Sequence, residues 1–147
     1  IRRQFTVQIA GEIDGSILTL DENFTYSDGK TEQRIWKIKK VDRNRYEGHA
    51  DDIVGVASGV SHGNALNWEY TMNLDVGFST LQVQFDDWMF LQPDGVLLNR
   101  ARVSKLGIKI GEVTLAFYKV NRIPSEQCFI TSRGVQFDDE YVQAISR

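Results

Sequence analysis

The sequence predicts an all-β domain, an eight-stranded antiparallel up-and-down barrel followed by a mostly irregular C-terminal tail. Three observations lead there. Apolar and polar residues alternate with period two over most of residues 1–120, the pattern of half-buried strands. The spacing of an amphipathic helix is nearly absent. Turn chemistry recurs between the alternating runs, at Asp28-Gly29, at His62-Gly63 followed by Asn64, and at Pro93-Asp94-Gly95. Hairpin-linked strands expose an edge unless the sheet closes, and eight strands close around an interior that either fills with side chains or holds one small ligand.

The first three strands are expected at 3–10, 16–27 and 31–41. A two-residue turn at Asp28-Gly29 would set Leu20 opposite Lys37, whereas the patterning wants Leu20 beside Ile38 and Phe24 near Trp36, so a bulge is expected here. The inward face then carries Leu18, Leu20, Glu22, Phe24, Tyr26, Arg34, Trp36 and Ile38, which makes Glu22 and Arg34 interior partners. The fourth strand is expected at 45–59 and the fifth at 65–75, the latter with Leu66, Trp68, Tyr70, Met72 and Leu74 inward. A two-residue turn at His62-Gly63 sets Ala57 opposite Trp68, Gly55 opposite Tyr70 and Ile53 opposite Met72, small residues against large rings.

The sixth and seventh strands, 79–92 and 96–105, flank Pro93-Asp94-Gly95. With Gly95 in the left-handed position, Trp88 pairs with Arg100 and Asp86 with Arg102. Adjacent residues of a strand point to opposite faces, so Asp86 and Asp87 do not form an acid dyad. Asp87 goes inward with Asn99 as its diagonal neighbour, while Asp86, Trp88, Arg100 and Arg102 form an outward surface patch held by an ion pair and a cation–π contact. An eighth strand at 110–120 completes the barrel domain, residues 1–120. The tail, 121–147, is expected to pack on the barrel, over outward-facing Val54, Val56 and Val60, with a short helix within 138–146.

Composition excludes several function classes. The 147 residues suffice for one core, and a net charge of −3, from 17 basic and 20 acidic residues scattered along the chain, offers no footprint for nucleic acid. Cys128, the single cysteine, has no partner in the chain for a disulfide, and His49 and His62 lack zinc-ligand spacing. Asp51-Asp52 lacks the spaced ligands of a calcium loop, and "GVASGVSHG" contains no nucleophile elbow. No metal and no cofactor is expected. No apolar run is long enough for a transmembrane helix.

The motifs "DDIVGVASG" at 51–59, "HGNALNWEY" at 62–70, "FDDWM" at 85–89, "NR" at 99–100 and "KLGIKIGEVTL" at 105–115, in that order, resemble a domain-of-unknown-function family of Gram-negative bacterial lipoproteins with a lipocalin-like, or calycin-like, fold. The resemblance covers residues 1–120; the Gly-x-Trp signature of true lipocalins is missing. It implies a domain tethered by an acylated cysteine upstream of Ile1, facing the periplasm and touching the membrane only through that anchor. Family genes often neighbour genes of fatty-acid cyclopropanation, which implies envelope lipid chemistry without naming a reaction.

The function expected from both lines is a non-enzymatic binding module that holds a fatty-acyl or other hydrophobic ligand, with Glu22, Arg34, Trp36, Trp68, Tyr70, Asp87 and Asn99 as candidate ligand-binding residues. Partners are a hydrophobic small molecule or lipid, or an envelope protein. Two alternatives stay open: a small lipid-modifying enzyme with Asp87 or Glu22 as general base, and a filled barrel whose outward patch binds a protein.

Overall fold

Alternation sets which face each strand buries, and turns set where each strand stops. The computed structural model describes residues 4–75 and 78–119, together with the backbone of 128–133. Nine antiparallel strands follow one another: β1 (Phe5–Asp14), β2 (Ile17–Tyr26), β3 (Thr31–Lys40), β4 (Arg45–His49), β5 (Ile53–His62), β6 (Ala65–Asp75), β7 (Thr80–Leu91), β8 (Leu97–Lys105) and β9 (Ile108–Lys119). Each pairs with the next in a curled half-barrel whose first and last strands, β1 and β9, do not pair with each other, and the described residues contain no helix. A short strand from the tail, β10 (Cys128–Arg133), lies in the gap, pairing with β1 from Thr6↔Arg133 to Gly11↔Cys128 and with β9 from Ile130↔Lys119 to Ser132↔Phe117.

The expected eight strands closing directly on themselves are therefore nine in a curled half-barrel, and β1 and β9 meet only through β10. The extra strand arises because the expected strand 45–59 is interrupted. Ala50-Asp51-Asp52 turns the chain, and the Ile53 N–H donates to the Ala50 carbonyl at 3.1 Å. Aspartates favour such turns over strand interiors. The packing expected of the rest of the tail, and the helix within 138–146, lie outside the described residues.

Three hairpins set the inner face. Around Pro93-Asp94-Gly95 the register is as expected, with Trp88↔Arg100 and Asp86↔Arg102, Gly95 at φ +85°, and the Gln92 N–H donating to the Val96 carbonyl at 2.8 Å. The β2–β3 hairpin needs no bulge within its strands. Its loop is Ser27-Asp28-Gly29, with Gly29 at φ +86° and the Tyr26 N–H bonded to the Lys30 carbonyl at 2.9 Å. Leu20 consequently faces Trp36, not Ile38, and Glu22 faces Arg34 directly.

The β5–β6 hairpin departs most from expectation. Its two-residue loop is Gly63-Asn64, one residue later than predicted, so His62 pairs with Ala65 and Gly59, not Ala57, faces Trp68. Between Val54↔Thr71 and Ser58↔Glu69 three residues of β5 run beside the single Tyr70 of β6, so no Gly55 to Tyr70 pair forms. This bulge absorbs two extra residues and restores the expected Ile53↔Met72 pair beyond it. The core, which includes Val7, Trp36, Ile53, Trp68, Met72, Val83 and Leu115, lies on the concave face.

Candidate functional site

The inward side chains do not fill the concave face. They surround a cavity of about 760 Å³, within the range of small-molecule sites. Nine strands enclose a wider interior than eight, which themselves leave room only for side chains or one small ligand. Apart from a polar cluster, the lining is aliphatic and aromatic, with Phe5, Val7 and Ile9 from β1, Leu18 and Leu20 from β2, and Leu115 and Phe117 from β9.

One wall is a continuous set of rings. Trp36 meets Trp68 edge-on at 5.5 Å between centroids and Tyr70 edge-on at 5.3 Å, and Tyr70 stacks on Phe85 at 4.9 Å with 7° between planes. Trp68 owes its position to two glycines: a Cβ on Gly48 would stand 2.6 Å from its ring and one on Gly59 2.5 Å. The indole lies against the bare backbone of β4 and β5, a contact that a side chain at either site would forbid.

The polar cluster begins with the opposed pair Glu22 and Arg34. Arg34 Nε donates to both Asp52 carboxylate oxygens at 3.0 Å, Nη2 donates to Oδ2 at 2.8 Å, and Nη1 stands 3.6 Å from Glu22 Oε2. The guanidinium lies over the Phe24 ring, 5.4 Å from its centroid, and Nη2 reaches Met72 Sδ at 3.5 Å. Farther along the wall, Asn99 Nδ2 donates to Asp87 Oδ1 and, at 3.2 Å, to the Trp88 carbonyl. The Asp87 to Asn99 contact expected from diagonal register is present.

Burial raises the Glu22 carboxyl to about 7 against the opposing pull of Arg34, and it raises Asp87 to about 7 against the hydrogen bond from Asn99, with the charges on Glu22 and Asp86 adding to the rise. The Tyr70 phenol is pushed well upward by burial and then by the charge on Asp87. Burial opposes the charge on Arg34, but bonding to Asp52 and the surrounding acidic groups outweigh it and hold the guanidinium protonated.

A pH dependence follows for Asp87. Between its ordinary value of 3.8 and about 7 the folded protein binds a proton that the unfolded chain has released, so this group's contribution to stability is full below about pH 4 and is lost as pH rises through about 7. Asp87→Asn should flatten the fall in stability over that window, by an amount on the order of 1 kcal/mol per pH unit. Urea unfolding at intervals across the window checks this, and an unchanged slope in the variant would rule Asp87 out as its source.

All seven candidate residues, Glu22, Arg34, Trp36, Trp68, Tyr70, Asp87 and Asn99, line the one cavity. Asp52 joins them and was missed, because a strand running unbroken through 45–59 gave it no way to turn toward Arg34. The signal available was the Asp51-Asp52 doublet itself, two turn-forming residues inside an alternating run. His49 and His62 are exposed.

The outward patch is wired differently from expectation. Asp86 accepts from Asn67 Nδ2 at 2.7 Å instead of pairing with Arg102. Arg100 turns to Glu112, Nε to Oε1 at 2.5 Å, and Lys109 holds the other oxygen of Glu112 at 2.6 Å. Trp88 therefore stacks on Phe90, centroids 6.0 Å apart, in place of a cation–π contact with Arg100. Neighbouring strands offered Asp86 and Arg100 partners that the two-strand pattern could not include.

Residues 1–119 match the family described as Protein of unknown function (DUF3833). No curated protein and no solved structure matches the chain.

Proposed function

From the premise that the chain belongs to the DUF3833 family of unknown function, we propose that it is an envelope-located binding module that takes an apolar small molecule or lipid chain into its half-barrel. The observation that carries this reading is the hollow concave face, about 760 Å³ between apolar and aromatic walls. Each methylene transferred from water to such a wall contributes about 0.8 kcal/mol, so affinity comes from the walls and orientation from a few polar groups. The periplasmic placement and the lipid anchor implied by the motif resemblance belong to the same proposal.

Native mass spectrometry of the full-length protein purified from bacterial envelopes, followed by lipid extraction, tests it. A stoichiometric apolar species is expected, and Trp36→Ala, which opens the ring wall, should weaken its retention about tenfold. A protein that is empty on purification and takes up no apolar dye afterwards would sink the proposal. The raised Asp87 carboxyl supports a second reading, an enzyme using Asp87 as general base on the bound molecule. Chemical change of the extracted species that stops in Asp87→Asn would favour it over simple binding.

A further inference from the structure

Among the described residues lining the cavity, Arg34 is the only basic one, while Glu22, Glu32, Asp52 and Asp87 are acidic. The guanidinium is already committed. Its Nε and Nη2 serve Asp52, Nη1 stands toward Glu22, and its flat face covers Phe24. An incoming carboxylate would have to displace one of these partners and would then sit among the remaining acidic groups, an arrangement that like charges disfavour.

Asp87 offers the opposite environment. Asn99 holds one of its oxygens, and among the described residues no cation pairs with it. Tyr70 lines the same cavity as Asp87, Glu22 and Asp52, and its phenol feels the charges of all three. Tyr70, its stacked neighbour Phe85 and the edge-on Trp36 add aromatic surface, and ring faces attract ammonium groups. An acidic cavity with an aromatic wall and its single arginine internally neutralised selects against anions and for organic cations.

Resting on the binding function proposed above, we infer that the ligand has an apolar body and a protonated amine head, which docks on Asp87 and Glu22 beside Tyr70. Hydrogen bonds from an ammonium to these carboxylates are charge-assisted, and the cation draws both into their ionised form. Both carboxyls are held near 7 in the empty site, whereas an alkylamine stays protonated to about pH 10. Affinity for the amine should thus rise as pH increases from about 6 to about 8. Arg34 and Tyr70, which also face the head, are shifted further from this window, and Asp52, Glu32, Tyr26 and Tyr46 are the remaining titratable groups lining the cavity.

The test is displacement of Nile red from the purified protein by three matched molecules below their micellar concentrations: dodecylammonium, dodecanol and dodecanoate. Dodecylammonium is expected to displace the dye at least about tenfold better than dodecanoate at neutral pH, with dodecanol between them. The preference should shrink in Asp87→Asn and in Glu22→Gln, either of which serves if the other does not fold. Equal or better displacement by dodecanoate, or a preference unchanged in both variants, would overturn the inference while leaving the binding module standing. Failure of the dye to bind at all would overturn the binding function itself.

Discussion

Arg34→Ala should destabilise the protein by about 3 kcal/mol, the lower end of what removing one partner of a buried ion pair costs, because the Asp52 side chain is 37% exposed and can recover water. Glu22 cannot. Its side chain is 15% exposed, and without the guanidinium its carboxyl has only the hydrogen bond from Trp36 to offset burial. The loss should be larger at pH 8 than at pH 5. With Arg34 removed, Glu22 keeps its proton to still higher pH when folded, so it opposes folding more strongly above about pH 7, where the parent's Glu22 has released its proton. Adding Glu22→Gln to Arg34→Ala should recover much of the loss at pH 8, which denaturant unfolding of the single and double variants at both pH values would reveal. Additive losses would mean that Arg34 acts through its packing on Phe24 and Met72, not through charge.

Gly59→Val is the other substitution with a large expected effect, about 3 kcal/mol or more, at or beyond the upper range for overpacking a core. Even the first carbon of the new side chain would stand 2.5 Å from the Trp68 ring. The backbone at Gly48 bounds the ring on β4 and Trp36 meets it across the wall at 5.5 Å, so it can retreat only into the cavity, at the loss of both contacts. Gly59→Ala should cost less but still more than a typical strand glycine, whose replacement usually stabilises. Trimming the ring by Trp68→Leu in the Gly59→Val background should return part of the stability. Thermal unfolding of the four proteins settles the matter: a Gly59→Val variant as stable as the parent would show that the indole is free to move.

The inner face was legible because alternation is binary. Once one residue of a strand is assigned inward, its neighbours follow, and Leu18 to Tyr26, Arg34 to Ile38 and Leu66 to Leu74 all line the cavity as the pattern requires. Register was legible only where turn chemistry was unambiguous. Pro93-Asp94-Gly95 permits one tight turn and its pairs followed, whereas His62, Gly63 and Asn64 can each occupy a turn, and the structure uses the last two. Asp52 escaped because the chain on both sides, Arg45–His49 and Ile53-Val54-Gly55-Val56, is compatible with one continuous strand, which concealed the turn between β4 and β5. Whether the face encloses space was not legible at all: alternation reports which way a side chain points, and volume depends on strand count, which the hidden turn changed from eight to nine. The outward pairs failed for a similar reason, since Arg100 chose its partner on a third strand, β9.

The bulge in β5 adds two residues, and the parity of that number matters for how a gene of this kind can drift. Side chains alternate between faces, so one surplus residue would have turned Gly59 and everything beyond it toward water, and Trp68 would have met a side chain. Two surplus residues leave Ile53, Ala57 and Gly59 on the same face and change only the stretch beside Tyr70. A two-residue change in this strand therefore keeps the inward set inward by itself, whereas a one-residue change needs a one-residue bulge to do so. Each added or removed pair of residues here would lengthen or shorten the wall facing Tyr70 while the pairing on either side stayed as it is.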